Sequence, residues 1–212
     1  MSLIVRRCLL FSVLFTPFAY ILAQIIALQM GDYDILGPEP GKAVTWFTGE
    51  WAFNCLIMTL AVTPLKKWFG WKWLLPHRRM MGLFVMFYAT LHLLSYMAFL
   101  LAWEWRDIGN ELIERPYLTL GFGAWLLLIP LSITSTKGWQ RRLKRKWKSL
   151  HKLVYVIAVL CAIHYLLQIR SSWFEPILYT LIIVTLLTQR ITMVITLATL
   201  KDFYCKRFES KE

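Results

Sequence analysis

The stretch from Trp147 to Leu167, WKSLHKLVYVIAVLCAIHYLL, decides how the rest of the chain is read. It is helix-length and almost wholly apolar, yet it carries His151 at its basic entrance and His164 near its middle. An ionisable side chain in the hydrocarbon region is costly unless it faces protein, water or a metal, so each such residue marks a candidate site. A second run of the same kind, Met80 to Trp103, holds His92 about as deep along its own length. The chain has 4 histidines, and three of them lie on these two segments.

Composition agrees with a membrane setting. Of 212 residues, 58% are hydrophobic and 17% charged, against about 25% charged in a soluble domain. A net charge of +12 in a soluble protein would suggest nucleic acid, but here the basic residues sit between long apolar runs and report topology. Lipid, not nucleic acid, is the expected surrounding. Cys8, Cys55, Cys161 and Cys205 form no CxxC pair, which excludes a disulfide framework and a zinc or iron–sulfur site as readings of their spacing.

Crossing the hydrocarbon core takes about 20 mainly apolar residues, and six stretches qualify: Leu9 to Leu28, Trp51 to Phe69, Met80 to Trp103, Tyr117 to Thr136, Leu153 to Leu167 and Trp173 to Leu200. The first follows Arg6 and Arg7 but is longer than a signal-peptide core of about 7 to 15 residues, so it is kept as a helix. If both termini are cytoplasmic, only Lys42, Arg106, Arg115 and Arg170 of the 24 basic residues fall outside, as the positive-inside rule requires. Trp46, Trp51, Trp68, Trp103, Trp147 and Trp173 cluster at the boundaries, where amphipathic rings belong. No internal repeat is evident. The predicted fold is an all-α, polytopic membrane protein: one domain over residues 1–212, a six-transmembrane-helix bundle with both termini cytoplasmic.

With six alternating spans, the third and fifth run in the same direction. His92 lies 15 residues after His77 and His164 lies 13 after His151, rises of about 22 and 20 Å. His92 and His164 therefore reach similar depth toward the outer face, with His77 and His151 at the inner rim. Neutral imidazole is a strong axial ligand for haem iron, and a bis-histidine grip by His92 and His164 leaves no open position, which suits electron transfer. His151 and His164 are about 140° apart around an ideal helix, so either the fifth span is distorted, by a π-bulge for instance, or the two rings face different partners. His151 is a further ligand candidate. His77, between Pro76 and Arg78, is expected at the surface and is the weakest of the four. Arg78 and Arg79 are suited to haem propionates or a flavin phosphate, because guanidinium forks match such anions, and equally to a topology signal. The acidic residues Glu104, Asp107, Glu111 and Glu114 offer an outer docking surface. There is no P-loop and no dinucleotide-binding GxGxxG; Gly121 to Gly123, GFG, lies within a span and carries no such meaning. Electrons must come from a separate donor.

The runs RRMMGL (Arg78 to Leu83), TLHLLSY (Thr90 to Tyr96), ERPYLTLG (Glu114 to Gly121), ITSTKGWQRRL (Ile133 to Leu143) and WKSLHKLVYVIAVLCAIHYL (Trp147 to Leu166), with FTG at Phe47 to Gly49 and TPL at Thr63 to Leu65, resemble the MsrQ family, formerly YedZ. These are haem-binding membrane subunits of periplasmic protein-methionine-sulfoxide reductase systems, within the ferric-reductase-like transmembrane superfamily. The resemblance implies b-type haem, one or two copies, and an associated FMN. It places the chain in the bacterial inner membrane, taking electrons from the quinone pool or a cytosolic flavin reductase. Their destination is a periplasmic molybdopterin catalytic subunit that repairs oxidised methionines. The family's histidine pattern falls on His92, His151 and His164, leaves out His77, and leaves the partner of His151 open, with Arg78 a candidate. Two other readings stand beside this one: a stand-alone metal or quinone reductase, and a non-redox transporter or scaffold. In the first reading the chain is the electron-transfer subunit, with no active site of its own for the methionine chemistry.

Overall fold

The computed structural model describes residues 2–168 and 173–209, the side chains of 107, 108 and 193–209 excepted. Among the described residues the chain is helical throughout, with no strand.

The first helix, α1 (Leu3–Gln29), starts where the Ser2 hydroxyl accepts from the Val5 amide at 3.3 Å. Pro17 interrupts its hydrogen-bond ladder. The gap is filled from outside: the Tyr88 hydroxyl accepts from the Phe18 amide at 3.1 Å and donates to the Leu14 carbonyl at 2.7 Å. A neighbouring helix thus satisfies backbone groups that lipid cannot.

Helix α2 (Pro40–Phe69) begins on a proline and stops at Gly70, whose φ of 68° is the left-handed cap that glycine tolerates. A 3-10 turn (Lys72–His77) leads into α3 (Arg78–Ser95), which continues through a π-helical turn (Tyr96–Leu100). Two consecutive non-glycine residues with positive φ, Ala102 at 45° and Trp103 at 61°, then reverse the chain into the short α4 (Trp105–Glu114). Helix α5 (Pro116–Ile133) follows directly, then the basic pieces α6 (Lys137–Leu143) and α7 (Arg145–Leu150), α8 (Leu153–Leu167) and α9 (Phe174–Glu209).

Among the described residues, five segments are long and apolar enough to cross a membrane: Leu3–Gln29, Lys72–Leu100, Pro116–Ile133, Arg145–Leu167 and Phe174–Thr192. The remaining expected span is α2, which has the length, 30 residues, but is more polar. The chain is a multi-pass, all-helical membrane protein. Its apolar residues agree: Leu9, Phe11, Val13, Val156, Val159, Leu181 and Val184 are exposed, which in water would be an aggregating surface and in lipid is the normal contact.

The core forms where α2 packs on α3 and α5 packs on α8, the two most extensive helix pairs. Cys55, Leu56, Val62, Tyr88, Ala124, Ile157 and Ala158 fill it. Cys8, Cys55 and Cys161 are free thiols, and Cys205 lies outside the described side chains.

Two expectations need correction. The second helix starts at Pro40, not Trp51, because the polar run around Thr45 to Glu50 turns inward instead of ending the helix. The fifth span has no π-bulge; it breaks at His151 and Lys152, between α7 and α8, and the π-helical turn lies on the third span. The acidic residues Asp107, Glu111 and Glu114 are carried by the helix α4.

Candidate functional site

His92 lies in the last turn of α3 and His164 in the last turn of α8. Their ring centres are 6.3 Å apart and their planes 79° apart. The similar depth expected from residue counting becomes a facing pair. Each ring is held by the neighbouring helix: His92 Nδ1 is 2.8 Å from the Thr45 carbonyl and His164 Nδ1 is 2.6 Å from the Tyr117 carbonyl. A carbonyl only accepts, so Nδ1 donates in both rings, and the lone pair of each neutral imidazole is left on Nε2.

The helices approach this closely because glycine stands beside each ring. A Cβ at Gly49 would sit 2.9 Å from His92 Nδ1, and one at Gly121 would sit 2.9 Å from His164 Nδ1 and Cε1. The two halves correspond residue by residue, each position preceding its counterpart by 72: Thr45 and Tyr117, Gly49 and Gly121, His92 and His164. The offset continues along the walls of the cavity between them, where Ala52 answers Ala124 and Leu56 answers Leu128. No internal repeat was expected; around this cavity five pairs of positions nevertheless share one offset.

The cavity has a volume of about 380 Å³ and is lined mainly by apolar side chains, within the usual range for a small-molecule or cofactor site of about 300–1,000 Å³. The spacing of the rings tests a metal between them. An imidazole nitrogen bonds a metal at about 2.0 Å and lies about 1.2 Å from its ring centre, so two rings on opposite sides of one ion stand about 6.4 Å apart. The observed 6.3 Å fits. Two imidazoles in an apolar slot suit haem iron, whose macrocycle supplies the other four nitrogens.

Part of the cavity lining is polar. Glu50, Glu111, Glu175, Tyr96 and Gln168 supply it, Glu111 from α4: Tyr96 donates to Glu111 at 3.2 Å, and Arg115 pairs with the same carboxylate at 2.8 Å. The Arg115 guanidinium also donates to the Tyr117 hydroxyl at 3.1 Å, which raises its pKa above the ordinary value and keeps it a fixed positive charge. Glu111 thus ties α4 to the π-helical turn through Tyr96. Glu104 and Glu114 are exposed, and the Asp107 side chain lies outside the described residues.

The other two histidines lie apart from the His92 and His164 pair. His151 stacks on Trp147, ring centres 4.0 Å apart, with Nδ1 3.2 Å from the Trp147 carbonyl and Nε2 buried without a hydrogen-bond partner of good geometry. Neither His151 nor His77 lines the large cavity. His77 is 1% exposed, with both ring nitrogens unpartnered and Trp73 against it. Its expected surface position is wrong: the 3-10 turn folds it inward. The adjacent arginines diverge. Arg79 is exposed, whereas Arg78 is half-buried and lines a niche of about 10 Å³ with Tyr155 and Arg190.

Residue-type reasoning found His92 and His164 and missed Thr45, Gly49, Tyr117 and Gly121. Two of those act through backbone carbonyls, which have no sequence signature, and two through the absence of a side chain. The available signal was the shared 72-residue offset.

The chain is similar to known proteins. The sequence profile of the family described as "Ferric reductase like transmembrane component" matches residues 48–162. The chain is 42% identical over 189 residues to the "Protein-methionine-sulfoxide reductase heme-binding subunit MsrQ" of Xanthomonas oryzae pv. oryzae, covering 89% of this chain and 87% of that one. It is 43% identical over 157 residues to the protein of the same name from Rhodospirillum rubrum, 74% of this chain and 76% of that one.

Proposed function

Because the chain belongs to the ferric-reductase-like transmembrane family, and within it to the MsrQ haem-binding subunits, we propose that it holds b-type haem between His92 and His164. In this reading it serves as the membrane electron-transfer subunit of a methionine-sulfoxide reductase. The observation that carries the proposal is the pair of opposed imidazoles at 6.3 Å with both Nε2 lone pairs left free.

Bis-histidine haem supplies a one-electron centre with no open coordination position. The chain's own residues do the rest. The Thr45 and Tyr117 carbonyls hold the Nδ1 protons and so fix the tautomer, making both rings better donors. Ala52, Leu56, Val85, Ala124 and Leu128 line the cavity, so a flat macrocycle held there would lie among small and apolar side chains.

The finer parts of the reading rest on resemblance. The whole chain, residues 1–212, is one domain of six spans, α2 being the sixth, with both termini cytoplasmic in a bacterial inner membrane. The donor is the quinone pool or a cytosolic flavin reductase, and the acceptor is a periplasmic molybdopterin catalytic subunit. His151, with one unpartnered ring nitrogen, is the ligand for a second haem. The niche beside Arg78 is too small for a flavin ring, so the FMN that the resemblance implies does not fit there, and no step is derived through it or through Arg79.

The test is an absorption spectrum of the purified chain beside His92→Ala, His164→Ala and His151→Ala. A sharp Soret band that shifts on dithionite reduction, lost in the first two variants, is the expected result. A colourless wild type, or full haem content in His92→Ala and His164→Ala, overturns it.

A further inference from the structure

The two halves of the cavity make the same three contacts: a carbonyl, a glycine four residues on, and a histidine 47 residues after the carbonyl. Glycine is not needed here for backbone freedom, since both positions are within regular helix, α2 and α5, where glycine costs about 1 kcal/mol relative to alanine. Gly123, two residues on in α5, has open space around it. The requirement at Gly49 and Gly121 is therefore contact with the rings.

We propose that Gly49 and Gly121 are matched positioning residues. Each lets a helix backbone press against one imidazole, so that the Thr45 and Tyr117 carbonyls hold the two rings opposed across one cavity. Each glycine acts on one ring only: Gly49 on His92 and Gly121 on His164. A Cβ at either place falls within 3 Å of a ring atom. The ring cannot slide away while its Nδ1 stays on the carbonyl, so it must tilt, lose that bond, or push the helices apart. This assignment takes its purpose from the haem reading above, but its test does not depend on haem.

The experiment is a set of double-mutant cycles on the full chain in detergent, read as apparent thermal unfolding temperature without haem. Gly121→Ala lowers that temperature by several degrees when His164 is present, and by no more than Gly123→Ala does when His164 is replaced by alanine. Gly121→Ala with His92→Ala keeps the whole penalty. Gly49→Ala behaves the same way toward His92 and is indifferent to His164→Ala. If Gly121→Ala alone does not fold, Gly121→Ala/His164→Ala folds again. In loaded protein, electron paramagnetic resonance of either glycine variant shows a changed g-anisotropy, because the angle between the two rings has moved.

Equal penalties with and without the matched histidine, no penalty at all, or a double variant that stays unfolded each overturn the proposal. A colourless wild type sinks the haem reading and leaves the glycine–histidine coupling in place, so the two failures are distinguishable.

Discussion

The Nδ1 of His92 lies 2.8 Å from the Thr45 carbonyl, and this one bond sets what the imidazole offers to the cavity. Because a carbonyl cannot donate, the ring proton stays on Nδ1 and the free lone pair on Nε2. His164 is held identically by Tyr117.

Loss of either ring therefore removes half of a two-sided grip. His92→Ala and His164→Ala are each expected to lower haem content by at least about tenfold, the scale seen when even a supporting contact to a metal ligand is removed. The corresponding His→Gly variants regain the Soret band when imidazole is added, because the cavity accepts the free ring. Pyridine haemochrome assays on purified protein measure both.

Ring orientation makes a second prediction. Imidazole planes 79° apart are nearly perpendicular, so the oxidised protein should give the highly anisotropic low-spin resonance of crossed axial ligands. A rhombic signal of parallel planes would contradict the arrangement.

His151 should be separable from this pair. It stacks on Trp147, across the break between α7 and α8, and does not reach the large cavity. His151→Ala is expected to retain the outer Soret band and its crossed-plane resonance, and to lose only haem beyond one per chain.

Tyr88→Phe should destabilise the chain by about 1–3 kcal/mol, the cost of leaving a buried backbone donor and acceptor unpaired. The hydroxyl is the only bridge described across the Pro17 gap, between the Phe18 amide and the Leu14 carbonyl. Thermal unfolding in detergent reads the loss, and the haem spectrum of the folded fraction should not change.

One carboxylate of α4 reaches the π-helical turn, and the Thr119 hydroxyl of α5 donates to the Leu112 carbonyl of α4. Glu111→Gln weakens its ion pair with Arg115, and Glu111→Ala also removes the acceptor for Tyr96. Both should raise amide hydrogen exchange across Trp105 to Glu114, the alanine variant more, because the left-handed residues Ala102 and Trp103 store about 1–3 kcal/mol each that favours release. Exchange unchanged from wild type would mean that α4 is held by its other contacts, the Thr119 hydroxyl on the Leu112 carbonyl among them.

Much of this was legible beforehand. Apolar runs with charged ends report spans, since lipid admits only backbone that is bonded within its own helix, and five of the six expected runs reappear, with bounds that differ by up to eight residues. Counting residues along two spans put His92 and His164 at one level. The same counting failed at α2, where Thr45 to Glu50 looks like a loop until its polar face is seen to turn toward the cavity. It failed at His77, whose basic neighbours suggested solvent although the 3-10 turn buries it.

The sequence by itself determined that this chain lies in the membrane and that two of its histidines share a depth, because hydrophobicity and helical rise are properties of residue type and count. Only the tertiary structure decided that the rings face each other, which nitrogen each leaves free, and why glycine stands at 49 and 121. Those outcomes depend on carbonyl positions and on the distance between packed helices, and neither is written in any single side chain.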